Sequence, residues 1–452
     1  MMRKFNIEVV EKLRCLIAAS DSVRISDFIR HYPAIDFAEM VSELEDTEIA
    51  GLVRLISDDE LASLMEESED RERIRIARTL DNRRLLTAFE YMQKDDIVDM
   101  LGDFPIRRRK ELIRLMKSSD QAIINNLLKY PEDSAGGLMT TDYIALHDDL
   151  TVADALDSIR HEGPKTDLIQ TIFVIDSRRN LIGSISLRQL LTAPKETQIR
   201  RLMDAQVISV TPEADQEEAA LLVSRYDLYA IPVVSRAKQI LGIITVDDII
   251  DVIIEEYNND MLQLAGVNVE EDLNSTWKES VRMRLPWLLV NLATAFLASF
   301  TVNLFQSTIQ QVVALSAVMT IISGMGGNAG TQTLSILVRA LSRQELDKKE
   351  ILHHLLKEIA VGVLDGASCG AVTAIVVFFM YHNGFLSLIV LLAMIGNMFV
   401  SAIFGFLVPV ILQKCHADPA VASSIFVTTA TDTLGFFIFL GLANLTLPLL
   451  LR

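Results

Sequence analysis

The sequence predicts a multidomain chain with an all-α N-terminal domain, an α/β domain made by duplication, a connecting helix and an all-α transmembrane domain of five helices. Three observations predict it. Apolar residues recur at helical spacing through the first 130 positions, and residues 138–254 align with themselves in short β-branched runs. Five apolar stretches then follow residue 284, each reaching the ~20 residues that a helix needs to cross a bilayer.

From about residue 5 to Tyr130, spacings such as Ile74, Ala77, Leu80 and Leu85 mark amphipathic helices in a bundle or short solenoid, assigned to residues 1–130. Helices end at Asp103-Phe104-Pro105 and at Tyr130-Pro131, because the residue before proline disfavours the α region. After a linker at 131–137, Ile172-Phe173-Val174-Ile175 and Leu181-Ile182-Gly183 recur 59 positions later as Ile231-Pro232-Val233-Val234 and Ile240-Leu241-Gly242. Each copy reads as strand, helix, strand, turn, strand, helix, and two copies within 131–250 can share a core where one would be marginal. Residues 251–284 read as a polar, acid-rich connecting helix that ends in Trp277, Lys278, Arg282 and Arg284.

The transmembrane domain, 285–452, carries its apolar stretches at 285–306, 312–338, 359–381, 385–412 and 421–451. Arg339, Arg343, Lys348, Lys349 and Lys357 fall in the second loop and Lys414 in the fourth, whereas the first and third loops hold no basic residue. Cytosolic loops collect Lys and Arg, so the N-terminal domains are expected in the cytosol and the C-terminus outside, in a multi-pass protein of the plasma (inner) membrane surrounded by lipid. The first residues interrupt their apolar positions with charges and lack the apolar core of a cleaved signal.

Of 42 basic and 60 acidic residues, nine and seven lie from Arg282 onward, which leaves 33 and 53 before it, a balance of about −20. Such a surface excludes nucleic acid as a partner and suits cations or simple solubility. Cys15, Cys369 and Cys415 stand singly, without the spacing of a disulfide framework or a zinc site. No catalytic triad, P-loop or metalloenzyme motif is present, so the chain is not read as an enzyme.

Candidate residues follow from cost. A carboxylate in hydrocarbon is expensive unless it faces water, an ion or a partner, and the apolar cores offer no basic residue to pair with. Asp432, in Thr428-Thr429-Ala430-Thr431-Asp432-Thr433, lies about three turns into the fifth stretch among hydroxyls that can bond to ions or water, Thr429 included. Asp365 lies about two turns into the third stretch, where a vestibule and an interface position are both open. In the polar run Ser323-Gly324-Met325-Gly326-Gly327-Asn328-Ala329-Gly330-Thr331-Gln332, Asn328 and Gln332 share a helix face that either lines a pore or supports close packing. In the duplicated domain Thr245 and Asp248 stand three residues apart at a strand-to-helix junction, a pair that can hold a ribose or simply be solvated surface. Acidic clusters at Asp95, Asp96 and Asp99, at Asp215, Glu217 and Glu218, at Asp247, Asp248 and Asp251, and at Glu255, Glu256 and Asp260 are either solvated faces or, where they meet across an interface, a surface whose repulsion divalent cations would bridge.

Taken together, Tyr91-Met92-Gln93-Lys94-Asp95-Asp96-Ile97-Val98-Asp99, Gly136-Gly137-Leu138-Met139-Thr140 opening the duplication, Gly324 to Thr333, and Asp418-Pro419-Ala420-Val421 running on to Asp432 resemble the MgtE magnesium channels over essentially the whole chain. The resemblance implies a superhelical N-terminal domain, a tandem CBS pair, a plug helix and a homodimer with one central pore. It implies Mg2+ held at Asp432 and a connecting helix that closes the pore when cytosolic Mg2+ is abundant. It further implies Asp215, Glu217, Asp227, Asp248, Asp251, Glu256 and Asp260 as cytosolic Mg2+ ligands, with Asp95, Asp96 and Asp99 contributed by the helical domain, and leaves ATP as a candidate regulatory ligand. Asn259 stands where the family can carry a glutamate, and Ser424-Ile425 replaces an Asn-Pro seen in some members. Two other readings of the same residues stand beside this one: a cation-coupled carrier using Asp432 and Asp365, and a non-conducting membrane sensor of nucleotide or ion.

Overall fold

The computed structural model describes residues 7–162, 169–269, 271, 273, 275–342, 346, 350–415, 418–419 and 423–451. The chain divides into two units, Met1–Ile253 and Ile254–Arg452. Arg343, Lys348 and Lys349, used above for orientation, and Ala420 and Val421 of the acidic-loop motif lie outside the described residues.

In the first unit ten helices, α1 to α10, fill Ile7 to Leu127, among them α6 (Asp70–Thr79), α8 (Lys94–Asp103) and α10 (Ser118–Leu127). Each is about two or three turns long, and α2 (Ser22–Ile29), α4 (Asp46–Leu52), α5 (Asp58–Glu66) and α7 (Asn82–Ala88) are capped by side chains at their N-termini. Ser57 with Glu60 and Glu45 with Glu48 form reciprocal capping boxes, which satisfy backbone N–H groups that a short helix leaves free. The buried faces of these helices form one core with residues of the second α/β copy, including Ala219, Val223, Ile231 and Ile249.

The duplication is visible as two matching halves. The first contains β1 (Ala145–His147), α11 (Val152–Glu162), β2 (Thr171–Ile175), β3 (Leu181–Ser186) and α12 (Leu187–Thr192), followed by the short α13 (Ile199–Leu202). The second contains α14 (Gln216–Tyr226), β4 (Ala230–Val234), β5 (Ile240–Thr245) and α15 (Val246–Leu264). Ile172 pairs with Ile185 and Ile231 with Ile244, both hairpins shift register at the equivalent step, and the left-handed turn residues Arg179 and Lys238 are again 59 apart. The expected first strand of the second copy is reduced to a single bridge from Val210 to Val233. The segment expected as a linker is ordered by contact. Ala135 and Gly136 donate to the carbonyls of Ala214 and Pro212, and a Cβ at Gly136 or Gly137 would overlap the Tyr130 ring or the Pro131 carbonyl.

The expected single connecting helix over 251–284 is instead two pieces. α15 runs unbroken through Asp251 and stops at Leu264, where Gly266 takes a left-handed conformation (φ 73°). A second helix, α16 (Trp277–Leu304), starts at a capping box made by Thr276 and Glu279, so Trp277 to Arg284 are the first turns of the first long membrane helix.

The second unit is otherwise α-helical, with α17 (Gln306–Gln311), α18 (Ala314–Ser342), α19 (Ile351–Tyr381), α20 (Gly384–Lys414), α21 (Ser423–Leu445) and α22 (Leu447–Leu450). Five long helices thus occupy the five apolar stretches. Four of them, α16, α19, α20 and α21, are long and apolar enough to cross a membrane; α18 falls short because its polar glycine-rich run dilutes its hydropathy. α20 packs against α18, α19 and α21. Close approach comes from small residues, since a Cβ at Gly362 or Gly366 of α19 would stand 2.8 Å from the backbone of α20 at Met398 or Ile395.

Candidate functional site

In the first unit, α6 packs against α8, whose first turn carries Asp95 and Asp96. Carboxylates at a helix N-terminus are ordinarily stabilised by the helix dipole. Here burial overrides that. Asp95 receives a hydrogen bond from Thr140, while its Oδ1 is buried with no hydrogen-bond partner among the described residues. Burial, then the nearby carboxylate of Asp248, pushes Asp95 up to about 7. Burial, then Asp95 and Glu66, pushes Asp96 up to about 8. Asp99 rises less, to about 6, because Arg73 opposes the effect of burial.

Asp248 is the second wall of this site. Burial raises it, and the hydroxyl of Thr245, which donates to it at 2.5 Å, pulls the other way. Between the walls lies a cavity of about 270 Å³ lined by Gln93, Asp95, Asp96, Thr140, Tyr229 and Asp248, among others. The acidic residues of the helical domain and of the second α/β copy therefore face one another. Thr245 and Asp248 meet as the sequence suggests, but their contact is also the N-terminal cap of α15, just as Ser186 and Gln189 cap α12.

The remaining acidic candidates of this unit do not line the cavity, although the charge of Asp251 acts on Asp248. Asp215 caps α14 by accepting from the backbone of Glu217 at 2.8 Å, and Asp227 ends the same helix in a left-handed conformation (φ 51°). Asp251 is exposed on α15. Among the described residues no group of three His, Cys, Asp or Glu could hold a metal ion directly. Magnesium sheds water reluctantly and is usually held through few carboxylates, so a cation that keeps its waters would need fewer of these side chains.

In the second unit Asp432 is half-buried on α21 and accepts a hydrogen bond from Ser323 of α18 at 2.5 Å. Around it, Thr428, Thr429 and Thr431 each donate their hydroxyl hydrogen to a carbonyl of α21 itself. Their oxygen lone pairs remain free to accept from water. Thr433 Oγ1 is buried with no hydrogen-bond partner among the described residues. Asn328 and Gln332 are exposed on α18, roughly 140° to 180° around the helix from Ser323, so one chain does not bring them to Asp432. Asp365 is exposed on α19.

The end of α15 belongs to this unit as well. Ser342 at the end of α18 donates to Asp260 at 3.1 Å, and Leu264 packs on Leu334, Val338 and Val427. Burial, with Asp418 also acting, raises Asp260, and the bond from Ser342 opposes the rise. Glu256 is half-buried one turn before.

Sequence reasoning missed three participants. Ser323 was visible only as the first residue of the polar run, Thr140 as the last of the Gly136 motif, and Arg73 had no signal because it sits in an ordinary charged helix. Contact between elements, rather than spacing within one, brings each to its carboxylate.

Comparisons with known proteins match the pattern. Residues 319–442 match the family described as divalent cation transporter, residues 32–133 the MgtE intracellular N domain, and residues 135–196 and 199–255 CBS domains. The chain is 33% identical over 357 residues to a magnesium transporter MgtE of Bacillus subtilis, covering 79% of each chain. It is 32% identical over 364 residues to that of Thermus thermophilus, covering 78% of this chain and 79% of the relative. A crystal structure of the soluble part of a magnesium transporter covers 55% of this chain and 99% of its own, at TM-score 0.51 and 27% identity.

Proposed function

The chain belongs to the MgtE family of divalent cation transporters, and from that premise we propose that it conducts Mg2+ across the plasma membrane through a pore whose ligand is Asp432. The observation that carries this is a half-buried carboxylate held by Ser323 between two long helices. Thr429 and its neighbours turn their hydrogens away, leaving acceptors for the waters that Mg2+ retains. A homodimer would place two Asp432 carboxylates about one axis and give the exposed Asn328 and Gln332 a pore to line. The membrane potential supplies the driving force, about 4.6 kcal/mol per 100 mV for a dication moving inward.

Regulation follows from the acidic cavity. Asp95 and Asp96 line this cavity with Asp248, Asp99 lies one turn further along α8, and burial leaves the charges of all three poorly solvated. Cytosolic Mg2+ would neutralise them, with Asp215, Glu217, Asp227, Asp251, Glu256 and Asp260 as further ligands, and favour the closed state. The contact of Asp260 with Ser342 and of Leu264 with α18 and α21 suits a plug at the end of α15. We assign residues 1–130 and 131–250 to the sensor and 285–452 to the pore, with the C-terminus outside. ATP is a candidate regulatory ligand at Thr245 and Asp248, with the exposed ring of Tyr229 lining the same cavity.

The test is Mg2+ uptake by the full chain in vesicles held negative inside, at low and high Mg2+ on the cytosolic face. Asp432→Ala should lower uptake roughly tenfold or more, the loss expected when a charged ligand is removed. High cytosolic Mg2+ should suppress uptake by the wild type. Uptake indifferent to Asp432 would remove the pore assignment.

A further inference from the structure

We infer that Asn397 of α20 is a positioning residue that sets the distance and register between Ser323 and Asp432, and thereby the affinity of the pore for its cation. This rests on the reading of Asp432 as the pore ligand. Asn397 is fully buried, and its Nδ2 donates to the carbonyl of Ile322 at 2.7 Å. Four residues on, Ser401 of the same helix donates to the carbonyl of Gly326 at 2.7 Å. These two bonds grip α18 on either side of Ser323. On its opposite edge the Asn397 amide rests on α21, where a Cβ at Gly435, one turn beyond Asp432, would overlap Oδ1. A Cβ at Gly326 would overlap Nδ2 in the same way. One side chain thus serves as the spacer between the two helices that carry the pair.

Stability alone does not account for an amide here. Oδ1 has no hydrogen-bond partner among the described residues, and an apolar side chain of similar size would leave no buried acceptor unpaired. What the amide supplies instead is direction: a donor that fixes the rotation of α18 and a flat edge that fits against a glycine of α21. Mg2+ demands near-ideal octahedral geometry, so small displacements of Asp432 and Ser323 weaken its hydrated complex.

The test compares Asn397→Ala, Gly435→Ala, the double variant and Val390→Ala, a change at another buried residue of α20, in the full chain in vesicles. Asn397→Ala should raise the half-saturating Mg2+ concentration roughly tenfold, while Val390→Ala lowers thermal stability and leaves that concentration within about twofold of wild type. Gly435→Ala should lose most of its flux, and Asn397→Ala on top of it should restore part of that flux by removing the overlap. An Asn397→Ala half-saturation matching that of Val390→Ala, or a double variant no better than Gly435→Ala, would overturn the inference. Asp432→Asn is measured alongside; wild-type flux in that variant would remove the pore reading and this inference with it.

Discussion

Asp95 is a poorly placed carboxylate, and the proposed sensor role depends on that placement. Its Oδ1 lacks a partner, its neighbour Asp248 is of like charge, and burial leaves both poorly solvated. Asp95→Asn removes the repulsion and the ligand at once. The metal-free protein should become more stable, by an amount on the order of 1 kcal/mol, and the rise in thermal midpoint on adding Mg2+ should shrink. Calorimetry with chelator and with Mg2+ measures both, and an unchanged Mg2+ gain would show that Asp95 is no ligand. Acidity has a sign here too. Asp95, Asp96 and Asp99 are raised to about 7, 8 and 6, so their contribution is present at low pH and is lost as pH climbs through that range. Without Mg2+, stability should therefore fall from about pH 4, where these carboxyls titrate in the unfolded chain, to about pH 8, the highest of the raised values, and Mg2+ should bind more tightly at the alkaline end as protons cease to compete. A metal-free midpoint that rose over the same interval would contradict this. Sequence alone names these carboxylates but not their partners, because Thr140, Asp248 and Arg73 reach them only through packing between elements.

At the scale of elements, the membrane helices were legible because length and hydropathy are properties of one segment. α18 was legible for the opposite reason, as the stretch whose polar run spoils an otherwise apolar helix. The connecting region was not, since nothing in the acidic pattern distinguishes one long helix from two; the break depends on Gly266 and on the Thr276 cap. Likewise Thr245 and Asp248 look like a ligand pair in sequence and serve as a helix cap in the fold, roles that local spacing cannot separate. Packing of α19 on α20 depends on Gly362 and Gly366, whose missing side chains admit the opposing backbone at 2.8 Å. Gly366→Ala should cost about 1 to 3 kcal/mol, because backbone cannot step aside, whereas Gly441→Ala, which meets nothing within 4 Å, should be neutral or slightly stabilising. Thermal unfolding of the two variants in detergent decides this, and equal losses would show that the stripe is not what brings these helices together.

For the whole molecule, the separation of charge is the organising fact: an acidic first half with a balance of about −20, and a second half whose acids are few and individually placed. On the proposed reading the first half binds cations and the second passes them, and passage needs a driving force. A dication gains about 4.6 kcal/mol per 100 mV on moving inward, which is about three powers of ten in its equilibrium distribution. A pore built on Asp432 alone should therefore take up Mg2+ in proportion to the imposed potential and should stop net uptake when potential and Mg2+ gradient are both abolished. A carrier that pairs Asp432 with Asp365 behaves differently, since a proton or sodium gradient would then move Mg2+ with no potential at all. Asp365 stands exposed on α19, whereas Asp432 is half-buried on α21 and bonded to Ser323 of α18. Vesicles with equal Mg2+ on both faces, clamped at zero or negative potential, with and without a proton or sodium gradient, separate the two: net uptake only under potential, unaffected by Asp365→Asn, is the outcome expected of the pore, and gradient-driven uptake at zero potential lost in Asp365→Asn is the outcome that would replace it with a carrier.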